Sequence, residues 1–111
     1  MKIADCNTGL TPIQISKLQK IFAQYPHIEK VILYGSRALG TYKPYSDIDL
    51  TCLGNQINGS ELAQVAWEID DLLLPYFIDL SIFHQLKNTD LIESIQKEGL
   101  VFYEKDKKTK P

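Results

Sequence analysis

The chain has little of what would commit it to a special environment. Its two cysteines, Cys6 and Cys52, are too few for a disulfide framework and lack metal-site spacing, which excludes a stapled scaffold and a zinc module. No run of 18 apolar residues and no signal-peptide pattern occurs, so no membrane association is expected and the protein is expected in the cytoplasm. A formal net charge of -2 speaks against a broad nucleic-acid-binding surface and leaves room only for a local basic patch. Arginine occurs once, at Arg37. His27 and His84 stand alone at strand boundaries and are expected to be surface or turn residues rather than ligands. There are no internal repeats.

What remains is an ordinary globular composition, 44% hydrophobic and 23% charged over 111 residues, which predicts one domain spanning 1–111. A lysine-rich flexible tail is expected from about 105 to 111. Thr11-Pro12-Ile13-Gln14 predicts a capped helix start with proline in the first turn. Leu18, Ile21, Phe22 and Tyr25 keep helical spacing until Pro26. Residues 28–34 predict a buried strand. Asn58 to Ser60 predict the cap of a second helix, with the apolar stripe Leu62, Val65, Ala66, Ile69, Leu72 and Leu73, ended before Pro75; Trp67 lies beside the stripe as core edge, the favoured reading, or as a partner contact. Residues 77–83 predict a strand, Thr89 to Glu98 a helix stopped by Gly99, and Leu100 to Tyr103 a last strand. Alternation of this kind predicts an α/β (α+β) fold, a small mixed sheet of about four strands with helices packed on one face.

The chemistry concentrates between residues 31 and 50. Val31-Ile32-Leu33-Tyr34 runs into Gly35-Ser36-Arg37-Ala38-Leu39-Gly40, and Asp47-Ile48-Asp49-Leu50 follows. Gly35 permits backbone conformations closed to other residues and lets an anion approach main-chain N–H groups. Ser36 adds a hydroxyl donor where a helix could start. Asp47 and Asp49 are two apart, so on a strand both carboxylates leave the same face. Two converging carboxylates repel unless a cation lies between them, and all-oxygen ligation suits Mg²⁺ or Mn²⁺. Asp79 interrupts the apolar strand Phe77–Phe83. Parity puts Asp79 and Ser81 on one face and Ile78, Leu80 and Ile82 on the other, just as Asp47, Asp49 and Thr51 oppose Ile48, Leu50 and Cys52. If the two strands are neighbours, three acids share a face, and Cys52 fills the core behind them. Tyr42, Lys43 and Tyr45 precede the acids and are expected to be solvated, although Lys43 could reach a phosphate and a tyrosine could stack on a base.

Gly-Ser, ten residues, Asp-x-Asp and a later lone Asp on an apolar strand resemble the DNA polymerase beta-like nucleotidyltransferase superfamily. Within it the chain is similar to the minimal nucleotidyltransferase (MNT) domains. The resemblance implies that Gly35, Ser36 and Arg37 bind the triphosphate of ATP or another nucleoside triphosphate. It implies that Asp47, Asp49 and Asp79 are catalytic and hold Mg²⁺ or Mn²⁺ in a two-metal site, with Asp79 helping to deprotonate the attacking hydroxyl. Leu39 stands where many members of the minimal group carry a second arginine. The resemblance also implies a partner. Minimal nucleotidyltransferases are often encoded beside a helical HEPN protein, in some pairs a toxic ribonuclease that the MNT member silences by transferring AMP to a tyrosine hydroxyl. Little chain is left beyond the core to grip an acceptor, so another chain or copy is expected to complete that site. The expected function is AMP transfer to a partner hydroxyl, as an antitoxin. The alternatives are a non-catalytic module that masks the partner, or a nucleotidyltransferase for a small acceptor such as an aminoglycoside.

Overall fold

Helix α1 (Pro12–Ala23), strand β1 (Lys30–Tyr34), helix α2 (Ser36–Leu39), strand β2 (Ile48–Leu53), helix α3 (Gly59–Asp70), strand β3 (Ile78–Ile82), helix α4 (Thr89–Glu98) and strand β4 (Leu100–Glu104) follow one another in the computed structural model, with a 3₁₀ turn at Phe83–Gln85. The structure describes Ile3 and residues 7–105; Cys6 and the expected tail beyond Lys105 lie outside the described residues.

Local chemistry explains where the helices start. Thr11 Oγ1 accepts from the Gln14 N–H, and the Gln14 side chain accepts from the Thr11 N–H, with Pro12 at the first helical position. Asn58 and Glu61 make the same reciprocal pair ahead of α3. Asn88 caps α4, accepting from the N–H groups of Asp90 and Leu91.

The sheet order is β3-β2-β1-β4. β1 runs antiparallel to both β2 and β4, and β2 runs parallel to β3 with α3 as the crossover between them. One sheet face is closed by α1 and α3. Val31, Leu33, Ile48, Leu50, Cys52, Leu100 and Phe102 meet Leu18, Phe22, Val65 and Ile69 there, and Phe22 sits edge-on to Phe102 with ring centroids 6.2 Å apart. Cys52 is core filler as expected, and burial pushes its thiol up to about 12. The Tyr25 hydroxyl donates to Glu68, tying the end of α1 to α3.

Three details differ from the sequence-based expectation. Helices on one face describes α1 and α3, but the end of α4 packs on the other: a side chain at Gly99 would run into Ile32 Cγ2, and buried Ile95 lies outside the main cluster. The α3 stripe stops short of Leu73. The helix ends at Asp70, and Leu73 turns out at φ 55 and is 86% exposed. Trp67, expected at the core edge, is 78% exposed, because Val65 and Ile69 already fill the face of α3 that meets the sheet.

Candidate active site

The parallel pairing of β2 with β3 puts Asp49 directly opposite Asp79, and Thr51 opposite Ser81. These four residues alternate with Ile48, Leu50, Ile78 and Leu80, which belong to or pack against the core. The sequence condition that the two strands be neighbours is therefore met. Asp47 stands one residue before β2, exposed, on the same side as Asp49 by parity. Asp79 is exposed and Asp49 half-buried.

The carboxylates feel each other. Burial raises the Asp49 carboxyl above its usual value, and the charges of Asp79 and then Asp47 raise it further. Among the described residues, no group of three or more His, Cys, Asp or Glu side chains is gathered closely enough to hold a metal ion. The site is thus an oxygen-rich, mutually repelling cluster rather than a finished cage. Such a donor set fits a hard divalent cation, whose charge would offset the repulsion.

β1 carries Gly35 and Ser36 to the same place. Tyr34 ends the strand opposite Asp49, and Gly35 follows at φ 79, a left-handed backbone that glycine adopts at little cost. A Cβ at Gly35 would collide with Asp49 Oδ2. The turn and the carboxylate are therefore in contact, with no room for a side chain between them. Ser36 opens the four-residue helix α2, whose first turn closes when the Ala38 and Leu39 N–H groups donate to the Gly35 carbonyl.

Arg37 lies one residue beyond this turn but faces elsewhere, which corrects the expectation that it binds the triphosphate. Its side chain is 1% exposed. Nη1 donates to the Thr8 carbonyl at 2.8 Å, Nη2 and Nε donate to the Ser46 carbonyl at 2.9 and 3.2 Å, and the guanidinium lies 4.5 Å from the Tyr76 ring centroid and 5.1 Å from that of Tyr42. Carbonyl dipoles and aromatic faces compensate the buried cation in place of a carboxylate. The guanidinium thereby fastens α2 to the residue before Asp47 and to the approach of β3. Tyr42 is also less solvated than expected, its hydroxyl donating to Asn7, whereas Tyr45 is exposed.

A hydroxyl row was not singled out from the sequence. Ser81 Oγ donates to Thr51 Oγ1 at 2.9 Å, and Tyr34 pairs with Asp49 on the neighbouring strand, near the charges of Asp79 and Asp49. Burial, first, raises the Tyr34 phenol above its usual value, and the charges of Asp79 and then Asp49 add to it. The signal was parity: Tyr34 shares a strand face with Ile32 and pairs with Asp49, but it reads as the end of an apolar run.

A glycine turn pressed against paired aspartates on neighbouring parallel strands defines the class of nucleotidyl-transferring domains. The family model described as Polymerase beta, Nucleotidyltransferase matches residues 16–108, and the chain belongs to that family and is a nucleotidyltransferase. Among solved structures, it is similar to a chain of a toxin–antitoxin crystal structure with AMP-PNP, with a TM-score of 0.65 and 22% identity over 89% of this chain and 77% of that one. It is also similar to a chain of the toxin–antitoxin MntA-HepT, with a TM-score of 0.63 and 18% identity over 86% and 74%. A third is a chain of the tri-AMPylated Shewanella oneidensis HEPN toxin in complex with MNT antitoxin, with a TM-score of 0.62 and 18% identity over 84% and 71%. At these identities the likeness is one of fold, that of the minimal nucleotidyltransferases. No curated protein matches the chain.

Proposed function

We propose that the chain, as one domain over 1–111, transfers AMP from ATP to a hydroxyl on a HEPN-type partner protein and so acts as an antitoxin within a hetero-oligomer. The observation that carries this reading is the contact of Gly35 with Asp49, which itself faces Asp79 across β2 and β3. This contact supports the reading, because triphosphate oxygens at the turn would lie beside cations held by the carboxylates.

Asp47, Asp49 and Asp79 would hold the cations, Mg²⁺ or Mn²⁺. When bound, these supply charge neutralisation for the triphosphate and for the attacking and leaving oxygens. Gly35 lets the phosphate chain approach the backbone, and Ser36 offers its hydroxyl to a phosphate oxygen. Asp79, exposed on the edge strand, would take the proton of an incoming hydroxyl. The acceptor oxygen then bonds to the α-phosphorus in line, the bond to the bridging oxygen breaks, and pyrophosphate leaves. Positioning and charge neutralisation do most of this work, which suits a small domain. Arg37 contributes by holding the loop that delivers Asp47. Among the described residues no helix is long and apolar enough to cross a membrane, and a cytoplasmic location suits a reaction drawing on ATP and Mg²⁺.

The test is to express the chain with the product of its neighbouring gene, isolate the complex, add ATP and Mg²⁺, and read the intact mass of the partner. A gain of one or more AMP units, absent with Asp47→Asn or Asp49→Asn, is expected. An unmodified partner that is still neutralised by both variants would replace this reading with masking by contact alone.

A further inference from the structure

We infer that the groove between α3 and the free edge strand β3 docks an amphipathic helix of a partner protein whose apolar stripe is flanked by lysine or arginine. This rests on the partner reading above but concerns docking rather than transfer.

The groove measures about 380 Å³ and is lined by Ala63, Ala66, Trp67 and Asp70 from α3 and by Phe77 and Leu80 from the β3 side, among others. Three large apolar residues of one short segment, Trp67, Leu73 and Phe77, are 78%, 86% and 69% exposed. Exposed aromatics gathered at a concave apolar surface mark an interaction site. Leu73 is held outward in a left-handed backbone conformation, which is strained for a side-chain-bearing residue. Four of the α3 lining residues, Ala63, Ala66, Trp67 and Asp70, recur at positions i, i+3, i+4 and i+7, a ridge along one side of a helix, with small side chains at 63 and 66 that permit close approach. A second helix packs along such a ridge.

Charge selects the occupant. From Pro44 to Leu86 the chain has seven acidic residues and no lysine or arginine. Glu68 is engaged by Tyr25 and Glu61 by His27, whereas Asp70 and Asp71 stand at the C-terminal end of α3, whose last turn has no basic residue. A helix C-terminus already carries partial negative charge and favours cations. A second copy of this chain laid on the same groove would set these acids against each other, so a basic partner fits and self-association does not. Ile78 and Leu80 line the groove while Asp79 between them points to the carboxylate face, so a helix seated here lies beside the reaction centre.

The experiment measures binding of the neighbouring-gene product to the intact chain by calorimetry at two salt concentrations. Trp67→Asp is expected to weaken binding at least about thirty-fold. Asp70→Lys with Asp71→Lys should weaken it about ten-fold and flatten its salt dependence, and Ile13→Asp, in an exposed position on α1, should leave it unchanged. Asp49→Asn should dock as wild type. If wild type and Trp67→Asp bind equally, only the groove assignment falls. If docking is lost with Trp67→Asp but no AMP is transferred by wild type, the transfer reading falls and the groove stands. Absence of any complex overturns the groove assignment and the partner reading together, and self-association of the chain that Trp67→Asp abolishes gives the groove to a second copy.

Discussion

The two faces of β2 are built from alternate residues of the same six-residue strand, yet they obey opposite rules. Ile48, Leu50 and Cys52 are fully buried under α1 and α3. Asp49, one residue from two of them, keeps a half-exposed carboxylate beside two others. The buried face is arranged for stability, because each apolar group removed from water lowers the free energy of the fold. The acidic face is arranged against it, because like charges are held together in advance of any cation. A strand that serves both ends must be rigid behind and unsatisfied in front.

The comparison can be broken first on the acidic side. Asp49→Asn is expected to lower AMP transfer by about a thousand-fold or more, since on the proposed reading it removes a carboxylate that would hold cation beside the phosphates; initial rates on the purified partner check this. On the buried side, Leu50→Ala should cost about 3 kcal/mol in chemical denaturation, and it should lower activity only as far as it unfolds the protein. Arg37→Lys tests the tie between the faces. A lysine cannot span the Thr8 and Ser46 carbonyls while lying against two rings, so a loss of about 2 kcal/mol is expected together with a fall in kcat larger than any change in KM for ATP.

The smallest effect sharpens the contrast. In metal-free buffer, Asp49→Asn should raise Tm by about 2–6 °C, from roughly 1 kcal/mol or less of relieved repulsion at this partly exposed group. The pH dependence follows from the same shift. The folded-state pKa of Asp49 is raised above 3.8, so between 3.8 and that raised value the folded chain holds more protons than the unfolded one. This contribution to stability is fully present below 3.8 and is lost as pH rises through the raised value. Thermal scans across that window should show wild type losing more than the asparagine variant, and Mg²⁺ should restore stability to wild type alone. Equal profiles would sink the claim that the acidic face is strained.

Much of this could be read from residue order. The capping boxes at Thr11 and Asn58, and the stop at Gly99, declare three helices through local hydrogen-bonding chemistry that needs no tertiary context. Strand parity put Asp47, Asp49 and Asp79 on one side, and only the adjacency of β2 and β3 had to come from the fold. Arg37 was misread because motif position says nothing about where a long side chain turns, and its cage is assembled from Thr8, Tyr42, Ser46 and Tyr76, which are scattered in sequence. Trp67 was misplaced because helical spacing gives two adjacent stripes on α3, and only packing reveals which one meets the sheet. The cation-free run from Pro44 to Leu86 was open to inspection but vanishes in a net charge of -2.

The contact between Gly35 and Asp49 also bears on descent. A lineage that kept this fold but abandoned nucleotide chemistry could install alanine or serine at 35 only after 49 had shrunk or swung aside, so the two sites should drift as a couple. Related chains would then sort into those retaining both residues and those that have exchanged both, with single replacements scarce.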